Sequence, residues 1–289
     1  KQKTAYEIRN CDWSSDVCSS DLKMTEEILK KIKQLPPLPK SAMQIEAVYQ
    51  DPDSSFSDMI KILEKDPLLT ADILKAANSP LYGFSREINA ISQAVGLFGM
   101  GTVRGFALAS IVKKSFTLDL APYGINNDMF SALSKKQHAI MTVWCLKKEN
   151  KLLGVLSPAA FLVEIGKVLI AQQIISDGSE EKFRDALLRL GDVEAAEREV
   201  VGVDTPEVSA TIFSQWKFEE GLVSVIRNCQ NPEKAEEEDK HPARILHVVR
   251  IAVPINGAIT DASIEAAKEL ITKYDLDMES FDKAIENAR

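Results

Sequence analysis

Histidine is scarce in this chain of 289 residues, which contains His138, His241 and His247 and no others. A metal-dependent phosphohydrolase needs several metal ligands that converge on one or two ions and leave open positions for water and phosphate. In such enzymes histidines and aspartates supply these ligands. Three histidines in the whole chain are few for such a centre.

Cysteine is also scarce, and two of the four cysteines lie in a segment that we exclude. Residues 1–8 and 12–22 read as the translation of oligonucleotide adapters used in DNA sequencing, so we interpret residues 1–22 as artefactual. We expect residues 1–23 to form a disordered tail and the native chain to begin at Met24. Cys145 and Cys229 then remain, and their separation is typical of neither a metal site nor a disulfide framework.

Positive charge and long apolar runs are lacking as well. The chain has 35 Lys and Arg against 43 Asp and Glu, a net charge of −8, whereas general nucleic-acid binders cluster basic residues. No uninterrupted apolar run reaches the ~20 residues of a membrane helix, and no secretory leader follows Met24. We therefore expect a soluble cytoplasmic protein that binds neither nucleic acid nor membrane.

Helical periodicity is present throughout, without an alternating strand pattern, so the chain is predicted to be all-α. The clearest helix start is Asp66-Pro67, since Asp is a good N-cap and Pro fits the first helical position. We expect this helix to end at Asn78-Ser79, because Pro80 disfavours the α conformation of the residue before it. Further helices are predicted over 158–176 and 241–257, with a loop or short linker over 233–240.

The glycines at 96, 99 and 101 interrupt a helical pattern and invite two other interpretations. A phosphate-binding loop should follow a strand, but a helix precedes this one. Residues 93–106 also have the rhythm of a helix-turn-helix. Arg104 is the only basic residue nearby, whereas a recognition helix needs several phosphate contacts, so DNA binding is disfavoured.

Three segments carry a resemblance to a known family. They are Leu-Pro-Pro-Leu-Pro at 35–39, ILEKDPLLTADILKAANSPLYG at 62–83, and Ile-Gly-Lys at 165–167. Together with the apolar and glycine positions between 88 and 99, they resemble the HD-related output domain (HDOD) family. The resemblance implies an all-helical domain of the HD hydrolase superfamily that usually lacks the metal site. It also implies a regulatory output module in bacterial signalling.

On this basis we expect two packed helical subdomains. The N-terminal HDOD subdomain would span residues 24–122, and a degenerate HD-type subdomain would span residues 123–257. The resemblance fades in the remaining residues, 258–289, which are expected to form a helical tail.

The resemblance also indicates where the metal ligands of an active HD enzyme would fall. The His-Asp pair corresponds to Val163-Glu164, and the other ligand positions lie near Asp204-Thr205, Asn228-Cys229 and Arg250. At best two carboxylates remain, and an arginine would repel a metal ion. We therefore expect no catalytic residue, no bound metal and no cofactor.

Five residues form the candidate binding surface: Asn78, Ser79, Tyr82, Glu164 and Lys167. Glu164 lies in an apolar segment and either pairs with Lys167, three residues later, or lines a relict pocket. The Asn78–Tyr82 turn either ends a helix, with the Asn78 side chain as a cap, or forms a recognition loop. His138 and Cys145 are interpreted as one packed helix face, and His247 as a satisfied core or groove histidine.

The favoured hypothesis is a non-catalytic signalling module that binds a protein partner, and a nucleotide or another small ligand could regulate it. One alternative is a metal-dependent phosphohydrolase or phosphodiesterase with a rebuilt site. A second is a helix-turn-helix-like DNA-binding regulator. The sequence leaves the partner, the signal and the oligomeric state open.

Overall fold

The computed structural model describes residues 26–84, 86–114, 116 and 118–289. The predicted tail, residues 1–23, lies outside this part. No strand occurs in the described residues, and the all-α prediction is confirmed. The helices are α1 (Glu26–Lys33), α2 (Lys40–Gln50), α3 (Phe56–Leu63), α4 (Pro67–Ala77), α5 (Ile91–Lys114), α6 (Asn127–Cys145), α7 (Leu153–Leu162), α8 (Gly166–Ser176), α9 (Glu180–Leu190), α10 (Val193–Val201), α11 (Thr205–Gln215), α12 (Glu220–Asn228), α13 (Glu237–Ala252), α14 (Asp261–Tyr274) and α15 (Met278–Ala288).

Helix α4 begins and ends where its sequence predicts. The Asp66 carboxylate accepts hydrogen bonds from the backbone N–H groups of Leu68 and Leu69, at 3.1 and 3.0 Å, which satisfies two of the free donors of the first turn. The helix ends at Ala77, one residue before Asn78. A short 3-10 turn over 80–82 then leads to Gly83, which adopts a positive φ of 68°.

Helix α5 is broken at Gly99, whose φ of 79° is accessible to glycine at little cost. The interruption predicted between residues 96 and 101 is therefore confirmed. Beyond the break, α5 packs closely against α7. A methyl group at Gly101 would lie 2.6 Å from the Gly154 Cα, so these two glycines allow the backbones to approach.

Two predicted boundaries were wrong. Residues 158–176 belong to two helices, α7 and α8, joined by a 3-10 turn over 163–165, and Pro158 lies inside α7. The acidic segment predicted as a loop contains the start of α13, which begins at Glu237. Acidic side chains stabilise the first turn of a helix through its dipole, so a run of carboxylates there favours a helix start.

The buried apolar side chains form one cluster that extends from Ile28 in α1 to Ala288 in α15. The C-terminal tail contributes to it directly. Phe281 of α15 is fully buried and packs edge-on against Trp144 of α6, with ring centroids 5.1 Å apart. Trp144 also donates a hydrogen bond to the Asp277 carbonyl. The division into two subdomains stays a prediction.

Two helical stretches, Ile91–Lys114 and Asn150–Ser176, are long and apolar enough to cross a membrane. Their most apolar windows are 61% and 89% buried within the fold. Core helices of soluble proteins pass the same test of length and composition, and the burial of both stretches is consistent with a soluble domain.

Candidate functional site

A buried group of charged side chains occupies the region where the resemblance placed metal ligands. We call it the ion network and define it as Glu164, Lys167, Glu194, Glu197 and Arg250. Glu164 lies in the turn between α7 and α8, and Lys167 lies in the first turn of α8. The remaining acids come from α10, and the arginine comes from α13.

Glu164 accepts hydrogen bonds from several cationic and amide donors. Arg250 Nε lies 2.8 Å from one carboxylate oxygen and Arg250 Nη2 lies 3.3 Å from the other. Lys167 Nζ is 3.0 Å away, and Gln137 Nε2 donates at 3.2 Å. Burial alone would raise the pKa of Glu164, but the charges of Arg250 and Lys167 outweigh it and hold that pKa well below the ordinary value. The expected pairing of Glu164 with Lys167 is confirmed.

The other half of the network is centred on Glu197. Its carboxylate accepts hydrogen bonds from the Tyr123 hydroxyl at 2.8 Å and from the backbone N–H of Thr205 at 2.6 Å. Lys167 Nζ lies 3.4 Å from Glu197 and 3.1 Å from the Thr205 hydroxyl. Burial raises the pKa of Glu197 despite the nearby lysine. Burial would lower the pKa of Lys167, but its three carboxylate neighbours raise it, so the lysine remains charged.

Several of the positions that would hold ligands in an active HD enzyme do meet in space. Arg250 bonds to Glu164 and donates to the Cys229 Sγ at 3.7 Å, and Thr205 contacts Lys167. Asp204, however, caps α11 and pairs with Arg198. The side chains of Lys167 and Arg250 therefore lie as fixed cations among the carboxylates of the ion network.

This donor set does not fit a divalent metal ion. Each carboxylate of the ion network is already paired with Lys167 or Arg250, and a metal ion would have to displace or approach these like charges. Within the described ranges, no group of three or more His, Cys, Asp or Glu residues is arranged to hold a metal.

A second feature is a cavity of about 690 Å³ beside the Asn78–Tyr82 turn, which we call the lysine-rimmed cavity. It lies between α4, α5 and α6, with the end of α7 as part of its wall. Its lining combines aromatic and aliphatic side chains with lysines and serines: Asp72, Lys75, Ala76, Asn78, Ser79, Pro80, Tyr82, Phe106, Ala109, Ser110, Val112, Lys113, Lys114, Phe130, Ser131, Ser134, Lys135, Phe161, Leu162 and Ile165.

Asn78, Ser79 and Tyr82 all line this cavity. The Asn78 side chain also holds the turn together, since its amide donates to the carbonyls of Leu74 and Ile88 and accepts from the Ile88 N–H. The predicted capping role of Asn78 is confirmed. The same turn therefore both ends α4 and forms part of the cavity wall.

Tyr82 links the cavity wall to a buried histidine. The Tyr82 hydroxyl lies 2.6 Å from His138 Nδ1, and the Ser157 hydroxyl lies 2.7 Å from His138 Nε2. The imidazole stacks on Phe161, with ring centroids 3.8 Å apart. Burial lowers the pKa of His138 well below its ordinary value, so the ring is neutral near pH 7.

The structure separates the five residues predicted as one binding surface. Tyr82, Glu164 and Lys167 are buried, with 6%, 3% and 1% of their surface exposed. A surface position was therefore the wrong prediction for these three: Tyr82 packs against His138 and Phe106, and ion pairing satisfies the charges of Glu164 and Lys167 inside the fold. The role of all five residues in binding stays a prediction.

Arg104, named above as the basic residue of a possible recognition helix, is also fully buried. Its guanidinium bonds to Glu46 at 2.6 Å and to Glu219 at 2.7 Å, and it lies over the Tyr49 ring. It cannot contact a phosphate backbone from this position.

The sequence analysis did not identify several residues of the ion network and of the lysine-rimmed cavity. Glu194 and Glu197 have the spacing of an ordinary amphipathic helix, and nothing local marks them as buried. The cavity lysines Lys75, Lys113 and Lys135 lie on three different helices. Only the packing of those helices brings the lysines together.

Comparison with known proteins places these features in context. Residues 35–232 match the HDOD domain family. Among solved structures, a Shewanella amazonensis protein provisionally named a phosphohydrolase is similar over 91% of this chain and 94% of its own, with 24% identity and a TM-score of 0.70. A Marinobacter aquaeolei protein provisionally named a signal transduction protein is similar over 93% of this chain and 60% of its own, with 20% identity and a TM-score of 0.64.

Among curated proteins, an uncharacterized protein of Treponema pallidum is 28% identical over 85 residues. That match spans 29% of this chain and 17% of the Treponema protein. The structural likenesses support the all-helical fold, and the sequence match covers a short part of a much longer relative.

Proposed function

The chain belongs to the HDOD domain family, and from this premise we propose that it is a non-catalytic regulatory module that acts by binding a protein partner. Membership indicates a regulatory role. The Marinobacter protein of similar fold, provisionally named a signal transduction protein, is compatible with that role. The fold itself does not decide the activity, so the site must do so.

The ion network is the observation that supports a non-catalytic role. Metal-dependent hydrolysis needs a cation with open positions for water and substrate. Here the cations are side chains, and Glu164 is held by both Arg250 and Lys167. A buried ion pair whose partners satisfy one another has structural value but leaves no open position for a substrate.

Exposed apolar side chains support protein binding. Met43, Phe56 and Leu68 expose 52%, 56% and 73% of their surface, and they lie on the consecutive helices α2, α3 and α4. The Asn78–Tyr82 turn follows α4 directly. Exposed apolar side chains of this size are suited to contact with another protein.

The first experiment tests catalysis. Purified protein would be analysed for bound metal and assayed with cyclic dinucleotides and nucleoside phosphates, with and without added Mn²⁺. We expect neither stoichiometric metal nor turnover. Stoichiometric tightly bound metal, or turnover that is abolished by Glu164→Gln, would show an enzyme instead.

The second experiment tests partner binding at the turn. The intact protein would be used as bait in the source cells, with Ser79→Arg as the test variant and Ser176→Arg at the exposed end of α8 as the matched control. We expect a stoichiometric partner that is retained by the control and lost with Ser79→Arg. Absence of any stoichiometric partner would contradict protein binding, and retention by both variants would contradict the position of the contact.

A further inference from the structure

The rim of the lysine-rimmed cavity carries more positive charge than its own carboxylate neutralises. Lys114 Nζ lies 2.9 Å from Asp72, which also accepts a hydrogen bond from the Ser110 hydroxyl. Lys75, Lys113 and Lys135 make no ion pair with another described residue. Three unpaired cations thus border one cavity in a chain whose net charge is −8.

These cations also act on one another. Burial lowers the pKa of Lys113, and the charge of Lys135 lowers it further, with a smaller contribution from Lys75. Asp128 and Asp72 oppose this only in part. Cations that repel one another at a partly desolvated site are stabilised by an anion placed among them.

The inner wall has the opposite character. The lining also includes apolar side chains that are mostly buried: Phe106, Phe130, Phe161, Leu162 and Ile165. Leaving such apolar surface in contact with water is unfavourable, so this wall favours an apolar group. The volume of about 690 Å³ lies within the range of ~300–1,000 Å³ that is usual for small-molecule sites.

We propose that the lysine-rimmed cavity binds a small amphipathic anion, with a phosphate or carboxylate among Lys75, Lys113 and Lys135 and an apolar body against the phenylalanine wall. Ser79 and Ser131 line the same cavity and provide hydroxyl groups that could donate to the anion. Such a ligand would lie against the turn proposed to contact a partner, and would therefore regulate that contact. The regulatory role of this ligand rests on the proposed function, because it requires a protein partner at the turn. Binding of the ligand itself does not require that partner.

Anilinonaphthalene sulfonate is a suitable probe, because it joins one anionic group to an aromatic body. Its fluorescence would be titrated with the intact protein and with the triple variant K75Q/K113Q/K135Q. We expect one saturable site in the parent and at least ~10-fold weaker binding in the variant, since ~1.4 kcal/mol corresponds to tenfold. The matched control, K65Q/K182Q/K283Q, removes three exposed lysines elsewhere and should bind as the parent does.

Two further measurements distinguish the contribution of the lysines from that of the apolar wall. An uncharged probe, N-phenyl-1-naphthylamine, should bind the parent and the lysine triple variant equally. Ala109→Trp, which adds an indole at a half-buried lining position, should weaken both probes. Circular dichroism and thermal melting of each variant would confirm that it is folded.

Competition identifies the head group. Displacement by adenosine monophosphate would indicate a phosphate ligand, and displacement by decanoate would indicate a carboxylate. Unchanged affinity in the lysine triple variant, absence of a saturable site, or displacement by neither compound would overturn the inference. The metal and hydrolysis results do not depend on these titrations, so failure of the ligand site is distinguishable from failure of the proposed function.

Discussion

At the scale of single residues, a charge inside the ion network has no water to replace a lost partner. Glu164→Gln would leave Arg250 and Lys167 short of one carboxylate in a site where all three are buried. Removing one partner of a buried pair typically costs ~3–5 kcal/mol. We therefore expect the free energy of unfolding in urea to fall by about this amount, with no change in hydrolysis.

The matched control is the exposed pair Lys61–Asp58 of α3. Lys61→Gln should leave the urea midpoint almost unchanged, because water solvates both charges. The double variant E164Q/R250M should be more stable than the sum of the single variants predicts, since one unpaired charge is removed with its partner. A small effect of Glu164→Gln, comparable to that of Lys61→Gln, would contradict the structural role of the network.

His138 should make stability depend on pH. Burial keeps its pKa well below the ordinary value in the folded protein, whereas the unfolded chain takes up a proton near ~6.5. The unfolded state therefore binds more protons as the pH falls below ~6.5, so stability is complete above that pH and is lost progressively below it. A difference of one bound proton between the unfolded and folded states changes the free energy of unfolding by up to ~1.4 kcal/mol per pH unit.

Urea unfolding at several values between pH 7 and 5 would measure this slope. His138→Gln should reduce the pH dependence of the free energy of unfolding by up to the contribution of one proton. This holds whatever the substitution does to the absolute stability. His247 contributes in the same direction, because burial and the charge of Arg250 lower its pKa to about 4. An identical slope in the parent and in His138→Gln would show that His138 takes up its proton at the same pH in the folded and unfolded states, and would contradict the prediction.

At the scale of helices, two glycines of α5 should respond in opposite ways to alanine. A methyl group at Gly101 would meet the backbone of Gly154 at 2.6 Å, where α5 and α7 approach. Gly101→Ala should destabilise the fold by ~1–3 kcal/mol through overpacking. Gly96 is helical and exposed with nothing within 4 Å of an added methyl, so Gly96→Ala should stabilise by ~0.5–1 kcal/mol.

Thermal unfolding followed by circular dichroism would compare both variants with the parent. The pair is informative because the substitution is the same and both positions lie in α5, on either side of the break at Gly99. Equal effects at Gly96 and Gly101 would show that helix propensity, and not the approach of α5 to α7, decides the result.

Helix boundaries were predictable where a local hydrogen bond decides them. Asp66 caps α4 with its own side chain, and Asn78 ends it through the backbone of Leu74 and Ile88. The start of α13 at Glu237 was not predicted, because an acidic run suits both a solvated loop and a helix first turn. Where two local preferences are similar, tertiary packing decides.

At the scale of the whole molecule, the single apolar cluster predicts cooperative unfolding. Trp144 contacts α15, and Trp216 donates to the Pro36 carbonyl near the start of the described chain. In a W13F background, the variants W144F and W216F each leave one tryptophan as a probe. We expect both fluorescence transitions in urea to coincide with circular dichroism.

Separate transitions would mean that two parts of the chain unfold independently, as a weak contact between subdomains would allow. Phe281→Ala is a useful companion variant, because it removes a fully buried ring of α15 and should cost ~3–5 kcal/mol. If α15 belongs to the common core, Phe281→Ala shifts the Trp216 transition as much as the Trp144 transition.

The candidate site was predictable only in part. The resemblance indicated the positions of Glu164 and Arg250, and the spacing of Glu164 and Lys167 indicated their contact. Arg250 was expected to repel a metal ion, but its bond to Glu164 depends on how α13 packs against α7. The cavity lysines could not be predicted from the sequence, because residues 75, 113 and 135 line one cavity only in the folded chain.

The ion network also determines what the centre needs from its surroundings and how readily it can change. A centre whose cations are Lys167 and Arg250 is complete as soon as the chain is folded, and chelators or metal starvation cannot deplete it. Any single substitution of Lys167 or Arg250 by a metal ligand would leave a buried charge unpaired, at a cost comparable to much of the stability of a typical domain. A change of this network toward metal binding would therefore need two or more substitutions at once, so that every buried charge keeps a partner.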